Sequence, residues 1–579
     1  MGGMSGLSAL ETSFAEGLPM PVRTSHLKLF PLWVRPAMLL AFVCALAVPT
    51  FAVEARGSQA LGTLPPMGWN DWAHYQCGYT AETIFANAQA LVKTGLAARG
   101  YNTVTIDDCW MQKDRDASGD LQADPQRFPQ GIQPVAQAVH ALGLKFGIYE
   151  DAGSATCGRF AGSGQPDGGG KDHFIQDAKL FASWGVDYLK LDGCNLHVPK
   201  GGSAVAAYRE AYAAESAALA TTGRPIVFSE SAPAYFQGTP EWYDVLGWVG
   251  SYGQLWREGT DIANYRANRA GTQRFPRVLW NYAYNLPLGR FQKPGNWNDP
   301  DFIIGGDDGM SLAETRSQMA LWSLMSAPLI LSSDVGALSP QSVEILGNPG
   351  VIAIDQDALG RMATLVRRSA AMDVLSKPLD GGDYAVAVLN RGTASVPVDL
   401  HPADLGFAAS PECRLDARNL WSGTSQTAAS ALDADLDSHD TAIWRIHPAP
   451  SCGKPTRTGT ITMIATGRHR DIDSYSRCLA APGSIGACAG APAETWTVTA
   501  GSALKSAEGL CLAVADGKPA MHACGRGKAQ RWNYTLAGNV VSAKNHQCLT
   551  ATGPDSGPQG LNLQACGHNQ PDQIWSLPN

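Results

Sequence analysis

The stretch "YLKLDGCN", Tyr188 to Asn195, decides the fold. It begins as an apolar strand, yet it places Lys190 and Asp192 two residues apart. A strand repeats every two residues, so the two side chains share one face. A cation and a carboxylate at the end of an apolar strand mark a strand whose C-terminal tip opens onto a polar site.

The same pattern recurs on both sides of it. "NTVTIDDCW", "LKFGIYED", "PIVFSES" and "APLILSSD" are short apolar segments that end in polar residues. Helical patterns such as "QPVAQAVHALG" and "FIQDAKLFASWG" lie between them. With "PPMGWNDW", the region of Trp256 and "NWNDPDFIIGG", eight strands alternate with helices between about 61 and 355. Eight such units predict an α/β fold, a (β/α)8 TIM barrel, with its site at the C-terminal ends of the strands.

The chain has 579 residues, 45% of them hydrophobic, and more than one domain is expected. A net charge of -8 gives no support for a nucleic-acid partner. Twelve of the 13 cysteines follow Ala55, which predicts disulfides and an oxidising compartment. Arg23, Lys28 and Arg35 precede the apolar run "AMLLAFVCALAVPTFAV". Residues 1–55 therefore read as a secretory leader, and the protein as secreted or periplasmic. An uncleaved membrane anchor is the competing reading. Cys44 lies inside the leader and is set apart from the fold. No other stretch is long and apolar enough for a bilayer, so no membrane contact is expected after the leader is removed.

Carboxylates gather at the strand ends: Asp107, Asp108, Asp151, Asp192, Asp299 and Asp301. Trp69, Trp72, Trp110, Tyr149, Trp256 and Trp297 accompany them. Rings that cover the apolar face of a sugar, with carboxylates that accept from its hydroxyls and act at its anomeric carbon, make a glycosidase site. Any one of these aspartates could instead cap a helix; the set as a whole is harder to explain that way. The 12 histidines show no His-Glu-x-x-His pattern, and there is no Gly-x-Ser-x-Gly elbow. Neither a metal nor an organic cofactor is expected.

In order, "PPMGWNDW", "TIDDCW", "LQADPQRFPQGI", "GIYED", "YLKLDGC", "WNDPD" and "DQDALG" resemble glycoside hydrolase family 27. These are the retaining α-galactosidases and α-N-acetylgalactosaminidases. The likeness runs from about Leu61 to Gly360. It implies that Asp192 is the nucleophile and Asp261, in "WREGTD", the acid/base. Lys190 would keep Asp192 ionised and bond a sugar hydroxyl. Asp107 and Asp108 would grip the 4- and 6-hydroxyls of galactose. Trp72, Tyr149, Cys157, Tyr235, Arg257 and Asp301 match further substrate-binding positions. The resemblance also pairs Cys157 with Cys194 and Cys77 with Cys109. The implied substrate is a galactoside within an oligosaccharide or polysaccharide, and the implied reaction is double displacement. A sugar-binding protein on an inactive barrel is the alternative of another class.

One segment departs from the galactosidases of the family. "ESAPAY" puts Ser231 where they have a Glu that bonds the 2-hydroxyl, and Ala234 where they have a Leu. Small residues there leave room for a 2-acetamido group. Glu230 stands where the family has a disulfide cysteine, and the partner cysteine near Gly253 is absent too. Glu230 could turn inward and refill the corner, so the 2-substituent stays open at this level.

The catalytic barrel is thus placed at 56–358. Residues 359–450 become strand-rich, as in "DYAVAVLNR", and resemble the antiparallel β-sandwich domain of the same family, with Cys413 and Cys452 as its bridge. Residues 451–579 repeat a unit three times: "RCLA", "LCLA" and "QCLT", each followed by a second cysteine and then "ETW", "QRW" or "QIW". The pairs are Cys478 with Cys488, Cys511 with Cys524, and Cys548 with Cys566. This resembles a ricin-type β-trefoil. The Asp usual after Cys-Leu is replaced by Ala480, Ala513 and Thr550. A carbohydrate ligand and the loss of one are both open. The trefoil is expected to close its own core and leave turnover of small substrates to the barrel.

Overall fold

Parallel strands covered on both faces are mostly apolar, and short runs of that kind, polar toward their C-terminal tips, build the barrel. In this computed structural model the strands are β1 (Met67–Asn70), β2 (Thr103–Ile106), β3 (Lys145–Asp151), β4 (Tyr188–Asp192), β5 (Val227–Glu230), β6 (Leu255–Arg257), β7 (Trp297–Asp299) and β8 (Leu329–Leu331). The structure describes residues 61–578 apart from 165–171, 263–273, 308, 464–476 and 554–556. The leader expected over 1–55 lies outside the described residues.

The sheet order is β7-β6-β5-β4-β3-β2-β1-β8, parallel throughout. Its last seam is closed by one residue beyond β7. Ile303 bridges to β8, donating from its N–H to Ile330 O at 2.8 Å and accepting from Ser332 N at 2.9 Å. The result is a TIM barrel. Register fixes what faces the mouth: Tyr149 of β3 pairs with Lys190 of β4, which pairs with Ser229 of β5, and Asp151 pairs with Asp192 one layer higher.

The second domain is a β-sandwich. Its larger sheet runs 425–429, 415–419, 441–448, 384–390, 372–378, 364–368 in space, and strands 396–400 and 432–436 form the smaller one. Cys413 and Cys452 are bonded across it. A buried ionic knot joins the sandwich to the barrel. Asp373 accepts from Arg368 (Nε 2.7 Å, Nη2 2.5 Å) and from the Tyr282 hydroxyl of barrel helix Arg274–Asn285 at 3.0 Å, with Arg391 Nε at 3.2 Å.

The third domain is a β-trefoil, and its threefold repeat is visible in atoms. Trp496, Trp532 and Trp575 donate their indole N–H to the carbonyls of Leu479, Leu512 and Leu549 at 2.7, 3.0 and 2.9 Å. Glu494, Gln530 and Gln573 accept from the N–H of Gly490, Gly525 and Gly567 at 2.8, 2.6 and 2.9 Å. Each of the three disulfides, 478–488, 511–524 and 548–566, staples one lobe. Among the described residues no helix is long and apolar enough to cross a membrane.

Asp373 is fully buried; burial alone would raise its pKa, but Arg368 and Arg391 outweigh that and hold it low. A carboxyl held below its unfolded value adds stability above that value, about pH 4, and loses it as the pH falls through the folded one. Asp373→Ala leaves buried guanidinium groups without their anion. It should destabilise the protein by about 3–5 kcal/mol at pH 7, with a smaller difference near pH 3. Denaturant unfolding at the two pH values measures both.

Candidate active site

Strand tips β1 to β4 build one wall of the mouth around Lys190. Its ammonium is buried and lies 2.7 Å from Asp107 Oδ2. It also sits over the rings of Tyr149 and Phe302, at 5.1 and 5.3 Å. Burial by itself would discharge a lysine; here Asp107 and then Asp192 more than offset it, and the pKa is raised. The direct ionic partner is therefore Asp107, while Asp192 acts on Lys190 through space.

Asp107 is fixed from three sides. Asn70 Nδ2 donates to the same Oδ2 at 2.7 Å, Asp108 N to Oδ1 at 2.9 Å, and the Asp107 N–H is held by Asp71 Oδ1 at 2.8 Å. Asn70 and Asp71 belong to the motif "GWND", where alternation alone assigns them no role. Asp108 accepts from Cys109 N and Gly158 N, both at 2.7 Å. Its pKa is pushed up to about 6, first by burial. Trp72, just past β1, is partly exposed at the same rim.

Asp192 ends β4 and is half-buried. Its Oδ1 accepts from the Tyr235 hydroxyl and from Gly193 N at 3.0 Å, and its Oδ2 from the Tyr149 hydroxyl at 3.4 Å. Asp151 stands beside it in register and is fully buried. Burial, then repulsion from Asp192, pushes the Asp151 pKa up to about 8. The shift favours the protonated form of Asp151 and lessens the repulsion it exerts on Asp192. Asp151 Oδ2 accepts from Cys194 N at 2.9 Å, next to the Cys157–Cys194 disulfide. The Cys77–Cys109 disulfide ties the loop after β1 to the tip of β2.

The opposite wall comes from β6 and β7. Arg257, nearly buried, lies 3.0 Å from Asp261 and 3.1 Å from Asp301. The Asp261 side chain is 60% exposed. Asp301 has φ +82°, a left-handed conformation that is strained for a residue with a Cβ. The strain is held by hydrogen bonds from its N–H to Asp299 Oδ1 (2.9 Å) and from Trp322 Nε1 to its carbonyl (2.8 Å). Burial pushes the Asp301 pKa up to about 6, against the pull of Arg257.

Two sequence expectations change here. Trp69, Trp110, Trp256 and Trp297 are fully buried and donate to groups of the barrel wall, so they are core rather than a sugar platform. Tyr235, at 38% exposed, and Trp72 remain as rings at the mouth. Glu230 does not refill the corner. It points away from the face that carries Ser229, fully buried against Gly253, where an added Cβ would lie 2.4 Å from its Oε1. It fills the place of the missing disulfide, and burial raises its pKa well above the usual range. Ser231 is left buried with no protein partner for its hydroxyl among the described residues, and Ala234 is partly exposed two residues before Phe236.

Comparison with known proteins adds the following. Residues 64–357 match the family described as Alpha galactosidase A, 369–446 the Alpha galactosidase C-terminal beta sandwich domain, and 457–575 the Ricin-type beta-trefoil lectin domain. The chain is 37% identical to Alpha-galactosidase A of Aspergillus niger, over 94% of this chain and 96% of that protein. It is 38% identical to Alpha-galactosidase of Oryza sativa, over 70% of this chain and 93% of the other. The crystal structure of alpha-galactosidase I from Mortierella vinacea superposes with a TM-score of 0.57 at 29% identity, covering 67% of this chain and 98% of that one.

An ionised carboxyl accepts from a sugar hydroxyl more strongly than a protonated one. With Asp108 and Asp301 both at about 6, galactose affinity should weaken as the pH falls below about 6. Asp108→Asn should bind weakly at every pH and show a shallower acid loss. Calorimetric titration with galactose between pH 4.5 and 7.5 reads both.

Proposed function

The chain belongs to the alpha galactosidase A family, and from that membership we propose how its own residues carry the reaction. The activity is release of terminal α-linked galactose from galactosides, with an oligosaccharide or polysaccharide as substrate. Asp192 attacks the anomeric carbon while Asp261 gives its proton to the leaving oxygen. The Asp192–sugar ester then breaks as water, deprotonated by Asp261, attacks the same carbon, and the configuration is retained.

The setting of Asp192 carries this reading. Asp192 accepts from two donors on Oδ1 and faces a buried lysine, while the pKa of its neighbour Asp151 is pushed up by burial and by Asp192 itself. A nearby cation favours the ionised form that a nucleophile needs. Asp261, exposed at the rim beside Arg257, suits a group that must meet both leaving group and water. Asp107, Asp108 and Lys190 would take the sugar hydroxyls, and Trp72, Tyr149, Cys157, Tyr235, Arg257 and Asp301 would complete the subsite. The leader and the six disulfides support export to an oxidising compartment, outside the cell or in the periplasm.

A second reading rests on Ser231. With Glu230 turned to Gly253, the small residues Ser231 and Ala234 stand at the corner for the 2-substituent, which suits a 2-acetamido group as well as a hydroxyl. The two substrates then differ in rate rather than one being excluded.

Asp192→Asn is nearly isosteric. It should lower kcat on nitrophenyl α-galactoside by at least about a thousandfold without changing the thermal midpoint. Proton NMR of wild-type turnover should show α-galactose first. A β-product would overturn the double displacement.

Ser231→Glu with Ala234→Leu should shrink the corner. The ratio of kcat/KM for galactoside over N-acetylgalactosaminide should rise at least about tenfold, since an unpaired buried polar group costs about 1–3 kcal/mol. An unchanged ratio would remove both residues from the specificity argument.

A further inference from the structure

The trefoil does not merely follow the barrel; it holds part of the mouth. One strap of chain, 231–244, runs along the rim. Its first turn, Ala232–Phe236, carries Tyr235, whose hydroxyl donates to Asp192. Next, Gln237 Oε1 accepts from Thr260 N at 2.9 Å, directly before Asp261. Gln237 reaches that N–H because residue 259 is glycine: a Cβ there would lie 2.7 Å from Gln237 Nε2 and 2.5 Å from the Tyr284 ring. The helix that ends the strap, Trp242–Val249, touches the same loop, with Trp242 Nε1 donating to Glu258 O at 2.7 Å. One strap therefore contacts the surroundings of both carboxylates.

Its far end is gripped by the last lobe of the trefoil. Asn569 Nδ2 donates to Asp244 Oδ1 at 2.9 Å and to Pro240 O at 3.0 Å, and His568 Nε2 lies 2.9 Å from Asp244 Oδ2. A second grip lies beside it. Arg290 of the barrel donates to the trefoil carbonyls of Leu536 (2.5 Å) and Ala537 (3.2 Å), with its guanidinium near the rings of Tyr243, Phe291 and Tyr534. Within that lobe the position after Cys-Leu is spent internally. Thr550 is fully buried, donates to Cys548 O at 2.9 Å and accepts from Gln573 Nε2 at 3.1 Å.

We propose that the trefoil is a clamp on this strap, and that Asp244 is the positioning residue through which it sets Tyr235 against Asp192 and Thr260 beside Asp261. The proposal rests on the roles given above to Asp192 and Asp261. It departs from the expectation that small-substrate turnover belongs to the barrel alone. The physical reason is exposure: Tyr235 is 38% exposed and the Asp261 side chain 60%, so burial does not fix them and hydrogen bonds at the strap's ends must. Small misplacements of reacting groups are costly in rate.

The test uses the full chain with Asp244→Ala, Asn569→Ala and the double variant, assayed on nitrophenyl α-galactoside against wild type. Each single change should lower kcat about three- to tenfold, leave KM within about twofold, and shift the alkaline limb of kcat/KM. The double variant should be no worse than Asp244→Ala, since both changes open the same clamp. Asp244→Asn, which still accepts from Asn569, should recover most of the rate. Hydrogen exchange reads the strap without chemistry: peptides within 232–262 should exchange at least about threefold faster in Asp244→Ala, with the rest of the barrel unchanged. Wild-type exchange in those peptides together with wild-type kinetics would overturn the clamp. Faster exchange in a chain whose wild type has no turnover would keep the clamp and strike the assigned activity instead.

Discussion

A lysine taken out of water inside a barrel is costly unless an anion and good donors meet it, and the architecture of this mouth is organised around Lys190. Its charge is balanced by Asp107 at 2.7 Å and felt by Asp192. Asp107 can serve only because Asn70, Asp71 and Asp108 hold it in place. Four strands must therefore keep their register for one cation to remain buried. The reward is a carboxylate at the end of β4 that faces a buried cation in a partly enclosed site.

The same burial sorts the other acids by protonation. Burial pushes Asp151 up to about 8 and Asp108 and Asp301 up to about 6, so these acids hold their protons more readily than exposed carboxyls would. Where burial is weak, other devices take over. Arg257 spans Asp261 and Asp301, a strained backbone at Asp301 is held by two hydrogen bonds, and disulfides fasten the loops that follow β1, β2 and β4. The outermost segment is tied down by a separate domain. An added module can thus influence chemistry through a few polar contacts at a rim, without lining the site.

Much of this was legible in the chain. The period of two in "YLKLDG" puts Lys190 and Asp192 on one face, and the register bears that out by aligning Lys190 with Tyr149 and Ser229. The tryptophans show the limit of such reading. A ring beside a carboxylate in the sequence suits a sugar platform and a barrel wall equally, and four of them are buried in the wall, three on strands and Trp110 beyond the tip of β2. Glu230 shows the same limit more sharply. Nothing in "SESAPAY" says which side of β5 it faces, and the side was settled by the space left at Gly253, across the next strand turn.

By itself the sequence determined what is local and repetitive: eight alternating units, carboxylates at strand tips, the family motifs, and a tail whose Cys-Leu and aromatic repeats demand three equal lobes. Those follow from periodicity and spacing, which neighbouring residues carry along the chain. The tertiary structure alone decided which acid pairs with Lys190, which acids keep their protons, how Ile303 closes the barrel, and that Asn569 reaches Asp244 across more than 300 residues. Each depends on desolvation and on distances between segments remote in sequence, and no local pattern encodes how deeply a carboxyl is buried or what charge will face it.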